Sequence, residues 1–186
     1  WNRDAYYGLM EMLKVAPRQR ISRMSCGQRS QVALGLLFAQ DPELLILDDF
    51  SMGLDPGYRR LFVEYLREYA SAENKTVFLT SHIIQDMELL IDDCMIMDYG
   101  RLLLHKPVKE IMHHFKRYRF TCPGDTFRLE ADEAFWHPSA LGDKWEVYSF
   151  LPKSEVEQRL KTMGVMGITA ENLSLEDAFI GLTGKY

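Results

Sequence analysis

An aliphatic run that ends in acid constrains this chain more than any other feature. Leu44-Leu45-Ile46-Leu47 passes directly into Asp48-Asp49. Four aliphatic residues between polar ends have the length and composition of a strand buried on both faces, the kind that parallel sheets use. A second strand is expected at Thr76–Thr80. Between the two, Pro56 opens an amphipathic helix through Leu61, Phe62, Tyr65 and Leu66, proline being suited to the first helical turn. Strand, helix, strand is the pattern of an α/β layer fold with a parallel sheet. Open sheets of that kind place their ligands beyond the carboxyl ends of the strands, which is where the paired carboxylates stand.

The rest of the chain fits around this unit. Leu9, Met10 and Leu13 recur at helical spacing in residues 2–15, a segment ended by Pro17. Because this helix opens at the first residues, an upstream segment is expected. Met10, Met12 and Leu13 are read as core. Ser25 opens a second helix, apolar from Val32 to Ala39, which stops near Asp41-Pro42. A further helix is expected over Ile83–Ile91, followed by a β-hairpin of Cys94–Met97 and Leu102–Leu104 around Tyr99-Gly100. Beyond residue 106 a short helix (Val108–Phe115) leads to strands at Tyr118–Thr121, Thr126–Leu129 and Trp145–Leu151, with helices starting at Ser154 and Ser174. Residues 117–186 therefore read as a small α+β appendage, with Trp136, Trp145 and Tyr148 in its core.

Composition narrows the function classes. An apolar fraction of 47% belongs to a folded protein, and a net charge of −5 with no basic stripe excludes nucleic acid as a partner. The apolar run from Leu34 to Ala39 is far too short to span a bilayer, so any membrane role is expected to run through a partner protein. Cys26, Cys94 and Cys122 form no CxxC pair, which fits a reducing compartment better than a disulfide scaffold or a zinc site.

Four short motifs follow one another. Met24-Ser25-Cys26-Gly27-Gln28-Arg29 contains a capping box between Ser25 and Gln28. The same geometry, a helix N-terminus with free N–H groups, a serine hydroxyl and a bare Gly27, is also an anion site. Asp48 is suited to hold Mg²⁺, mostly through water, and Asp49 to orient an attacking water; both also read as solvated strand-end acids. Gly53-Leu54-Asp55-Pro56 reads as a turn before a helix. Thr80-Ser81-His82 ends the second strand, with a histidine placed to meet a phosphate oxygen or to sit at the surface. Each motif has an ordinary structural reading on its own, and their order and spacing carry the signal.

Together they resemble the nucleotide-binding domain of ABC transporters from its signature motif onward. Met24–Arg29 resembles the signature, Leu44–Asp48 the Walker B strand, Gly53–Asp55 the D-loop, and His82 the switch histidine. Gly53–Arg60 and the tail Ser174–Phe179 are similar to the ABC-2 type exporter subgroup. The resemblance implies the C-terminal part of a P-loop NTPase (ABC ATPase) domain. Residues 1–42 would be part of the helical subdomain with the signature, 43–116 the C-terminal part of the ATPase core, and 117–186 the α+β accessory domain. It implies ATP and Mg²⁺ as cofactors, a homodimer or paired ATPase subunit, and a transmembrane permease partner on the inner face of the cell membrane. By position, Ser25, Cys26, Gly27 and Gln28 would meet the γ-phosphate held by the opposite subunit. Asp48 would serve Mg²⁺, Asp49 would act as catalytic base, Asp55 would contact the partner across the dimer, and His82 would sense the γ-phosphate.

The chain departs from the family pattern in three places. It contains no Gly-x₄-Gly-Lys-Ser/Thr loop, Gly184-Lys185 being a decoy, so an excised piece or an upstream half encoded elsewhere is expected. Without that loop no backbone nest cradles the β- and γ-phosphates. Asp49 stands where the family usually has glutamate, one methylene longer, and a misplacement of about 1 Å can cost roughly a hundredfold in rate. Cys26 stands at the first signature glycine, where its β-carbon restricts backbone approach. The alternative reading is therefore a nucleotide-gated regulatory subunit with little hydrolysis.

Overall fold

β1 (Leu44–Asp48) and β2 (Thr76–Thr80) run parallel and in register, Leu44 opposite Thr76 and Asp48 opposite Thr80. This confirms the expected parallel pair. The computed structural model describes residues 1–72, 75–85, 87–122 and 127–184, which divide into two compact units, Trp1–Asp86 and Met87–Tyr186.

In the first unit, α1 (Arg3–Met12) is capped by Asn2, whose side chain accepts the Ala5 N–H at 3.0 Å. α2 (Cys26–Ala39) is capped by Ser25 with the full reciprocal capping box to Gln28. The two helices approach closely at Gly35, where a β-carbon would lie 2.6 Å from the Met10 methyl. α3 (Pro56–Ala72) begins at proline, with Asp55 Oδ1 accepting the N–H groups of Gly57 and Tyr58 at 3.0 and 3.2 Å. Phe38 of α2 packs against Phe62, Tyr65 and Tyr69 of α3, with ring centroids 5.7, 5.1 and 4.8 Å apart. Phe50, just past β1, meets Phe62 at 5.0 Å. This aromatic wall, with Leu45, Leu47 and Leu66 buried, fixes the strand end on which the carboxylates stand.

Three expectations for this part of the chain fail. β1 is not buried on both faces: Leu45 and Leu47 are buried, but Leu44 and Ile46 are exposed, as is Phe78, the register partner of Ile46. The pair has cover on one side only among the described residues. Met12 is exposed while Met10 and Leu13 are buried, because α1 presents a single stripe to the core. No α-helix spans Ile83–Ile91 among the described residues, only a 3₁₀ turn at Met87–Leu89. The Ser81 hydroxyl captures the Ile83 N–H at 3.0 Å and donates to the Ile83 carbonyl, a local bond that competes with helix.

In the second unit, β3 (Asp93–Asp98) and β4 (Arg101–Pro107) form the expected hairpin. Tyr99 and Gly100, both at positive φ, make its two-residue turn. α4 (Val108–His114) follows. An antiparallel sheet has the order β6-β7-β5-β8, from β5 (Lys116–Thr121), β6 (Trp136–Leu141), β7 (Lys144–Ser149) and β8 (Met166–Asn172). α5 (Lys153–Thr162) contributes Val156 and Leu160 to a core with Tyr118, Phe120 and Val147. α6 (Leu175–Thr183) starts at a Ser174 capping box and ends at left-handed Gly184. Tyr148 is buried as expected, and Trp145 packs on the core.

The strand read at Thr126–Leu129 is not found over its described residues, 127–129. Thr126 lies outside the described residues, and 127–129 form no ladder. The alternation at Phe127 and Leu129 instead reports a segment leaning on the core, Phe127 meeting Trp145 at 5.0 Å.

Candidate functional site

Four segments of the first unit carry the candidate residues. At the β1 end, Asp48 remains in the strand and is exposed, while Asp49 turns into a left-handed conformation with φ of +46°. Aspartate tolerates that region better than most residues because its short polar side chain bonds locally. Here its N–H is shared between the Thr80 carbonyl oxygen and Thr80 Oγ1, both at 3.1 Å. The turn continues as the Met52 N–H reaches the Asp49 carbonyl at 3.0 Å.

The β2 end answers from across the sheet. Thr80 Oγ1 donates to Asp48 Oδ1. His82 Nδ1 lies 2.8 Å from Asp49 Oδ1 and 2.9 Å from Oδ2. Facing two carboxylate oxygens, that nitrogen carries the proton, which leaves Nε2 turned away on a side chain 65% exposed. Each Asp49 oxygen keeps a further lone pair for an incoming donor. The reach of this aspartate is thus sufficient to engage the histidine directly.

The third segment is the start of α2. Ser25 Oγ accepts the Gln28 N–H at 3.2 Å, and Gln28 Oε1 accepts the Ser25 N–H at 3.0 Å and a Gln19 Nε2 hydrogen at 3.1 Å. The N–H groups of Cys26 and Gly27, in the first turn, have no intrahelical acceptor. The Ser25 hydroxyl hydrogen and the Gln28 amide hydrogens remain as additional donors. Ser25 and Cys26 are exposed, Gln28 half-buried.

Asp55 is committed to capping α3 through Oδ1, and its residue remains exposed. Gly53, at φ of +82°, joins the start of α2 to this loop. A β-carbon on Gly27 would sit 2.7 Å from the Gly53 carbonyl oxygen, and one on Gly53 would sit 3.3 Å from Cys26 Sγ. The bare side of Gly27 is therefore filled from within the chain. Gly27→Ala is expected to push residues 51–54 away from α2 and to destabilise the protein by about 1–3 kcal/mol. Thermal unfolding checks this, and an unchanged midpoint would show that the two segments move independently.

The structure brings Asp48, Asp49, Thr80 and His82 together, and joins Cys26 and Gly27 to Gly53. Sequence reasoning overlooked Thr80 and the Gly27–Gly53 approach. The first had a usable signal, because two five-residue strands in register place Asp48 opposite Thr80.

Residues 17–85 match the family described as "AAA domain, putative AbiEii toxin, Type IV TA system". A Nod factor export ATP-binding protein I of Rhizobium meliloti is 40% identical over 177 residues, covering 89% of this chain and 50% of that protein. The chain is similar to ABC ATP-binding proteins over most of its length. A second such protein, from Rhizobium meliloti strain 1021, is 30% identical over 174 residues, with 89% and 50% covered. The energy-coupling factor transporter ATP-binding protein EcfA2 of Lactobacillus johnsonii is 38% identical over 88 residues, 47% of this chain and 30% of that protein. The chain spans about half the length of the curated relatives it matches. The dimeric structure of MJ0796, a bacterial ABC transporter cassette, shares the fold at a TM-score of 0.51 and 18% identity, covering 57% of this chain and 47% of that one. Its post-hydrolysis form bound to ADP and Pi gives 0.50, with 55% and 45% covered. The cassette fold thus accounts for the parallel pair of β1 and β2.

Proposed function

We propose that this chain is the C-terminal half of the nucleotide-binding domain of an ABC ATP-binding subunit, which hydrolyses Mg-ATP to drive export through a transmembrane permease. The observation that carries the reading is the strand-end group in which Asp48 is exposed, Asp49 is engaged by His82 at 2.8 Å, and Thr80 touches both aspartates. The donor set suits a magnesium ion held chiefly by water. Asp48 Oδ2 has no hydrogen bond among the described residues, and no group of three or more His, Cys, Asp or Glu side chains converges there as a protein-only cage would need. Bound magnesium would neutralise charge on the phosphates. Asp48 would hold its water shell, Asp49 would accept a proton from the attacking water, and His82 would orient Asp49 through Nδ1–H, its Nε2 donating to the γ-phosphate only when it too carries a hydrogen. Ser25, Gly27 and Gln28, with Cys26, would close over ATP held by a paired ATPase subunit, and Asp55 would face that subunit.

In this reading residues 1–42 belong to the helical subdomain, 43–116 to the ATPase core and 117–186 to an accessory domain. No helix among the described residues is long and apolar enough to cross a membrane, so the chain would sit on the inner face of the membrane through the permease. The export role rests on the names of the rhizobial relatives. A regulatory clamp with little hydrolysis is not favoured, since Asp49 has its orienting histidine and lone pairs to spare. In the complete native protein, Asp48→Asn is expected to lower Mg-ATP turnover by roughly 10²-fold or more and to raise the Mg²⁺ concentration needed. Turnover at the parent rate with an unchanged magnesium curve would remove Asp48 from the metal site.

A further inference from the structure

The end of β2 carries a hydroxyl to which the reading above gives no task. Thr80 is the register partner of Asp48, the last residue of β1. Its Oγ1 donates to Asp48 Oδ1 and accepts the Asp49 N–H at 3.1 Å. A hydroxyl has one hydrogen and two lone pairs, so one side chain can serve both residues at once. The second bond matters because Asp49 is held at φ of +46°. A residue with a β-carbon stays in that region only where its surroundings fix it, and here Thr80 takes the N–H through both its carbonyl oxygen and its hydroxyl. The first bond matters because it occupies Asp48 Oδ1 and leaves Oδ2 for a water of the metal shell. Valine has nearly the same shape and the same preference for strand, so it is the hydroxyl, not the bulk, that makes this residue different.

We propose that Thr80 is a positioning residue that sets the two carboxylates with a single hydroxyl, aiming Asp48 at the metal and holding the backbone turn that presents Asp49 to His82 and water. The proposal rests on the reading of Asp48 and Asp49 as the metal and base residues. A group that acts by orienting others changes the rate and the metal requirement together and leaves nucleotide affinity nearly alone. A group that acts only in folding changes the melting temperature.

The test compares Thr80→Val and Thr80→Ser with Asp48→Asn and Asp49→Asn in the complete native protein, reading kcat, the KM for ATP and the Mg²⁺ activation curve. Thr80→Val is expected to lower kcat about tenfold, to keep KM within about twofold, and to shift half-saturation by Mg²⁺ upward about threefold. Its melting temperature should stay within about 2 °C of the parent. Thr80→Ser, which keeps the hydroxyl, should recover most of the rate and the parent magnesium curve. If valine does not give a folded protein, Thr80→Ala carries the same comparison. Parent-like kcat and magnesium response in the valine variant, or a serine variant as impaired as valine, would overturn the proposal while inactive Asp48→Asn and Asp49→Asn variants keep the site reading intact. Aspartate variants that turn over at the parent rate would overturn both.

Discussion

Asp49→Asn in the complete native protein is expected to cut Mg-ATP turnover by roughly 10²–10⁴-fold while leaving ATP affinity within about a factor of three. Asparagine has the same size and accepts the same left-handed backbone, so the Thr80 bonds to the main chain persist and the protein stays folded. What it lacks is a carboxylate able to take the proton of the attacking water. Its amide also presents one oxygen in place of the two that now lie 2.8 and 2.9 Å from His82 Nδ1. The measurement is steady-state phosphate release beside equilibrium ATP binding. Loss of turnover with binding retained identifies Asp49 as the working base. Turnover within about threefold of the parent would mean that another group orients the water and that the aspartate–histidine pair is structural.

The second large effect is on stability. Phe38→Ala is expected to cost about 3–5 kcal/mol, the range for removing a buried aromatic ring. Phe38 is fully buried and meets three rings of α3, so the cavity would open between α2 and α3. Phe38→Leu, which keeps much of the volume, should lose under about 1.5 kcal/mol. Urea unfolding of both variants checks the pair. A cost below about 1 kcal/mol for alanine would show that the site has collapsed around the gap and that this wall does not hold the strand end.

What could be read from the sequence was whatever depends on neighbours along the chain. Ser25 and Gln28 are three residues apart, so their capping box was visible before any fold was known. Pro56 and Ser174 mark their helix starts for the same reason. The parallel pair was legible because an aliphatic run that short has few other uses. The misses share a different cause. β6 contains Pro138 and a left-handed His137, which argue against a strand, yet it lies at the edge of its sheet, where proline's missing N–H costs little. β8 has a weak alternation and a glycine at φ of +65°, and only its ladder with β5 defines it. Gly27 was read for what might approach it from outside, while its bare face is met by a carbonyl 26 positions later, a contact that no local pattern announces. The site itself was half legible: the acids and the histidine by type and position, Thr80 only by register.

Leu44, Ile46 and Phe78 share one uncovered side of the parallel pair. Greasy strand faces of this kind are what chaperones bind and what neighbouring copies stick to. An exposed apolar strand face of this kind marks that side of the pair as a surface for association with another polypeptide segment.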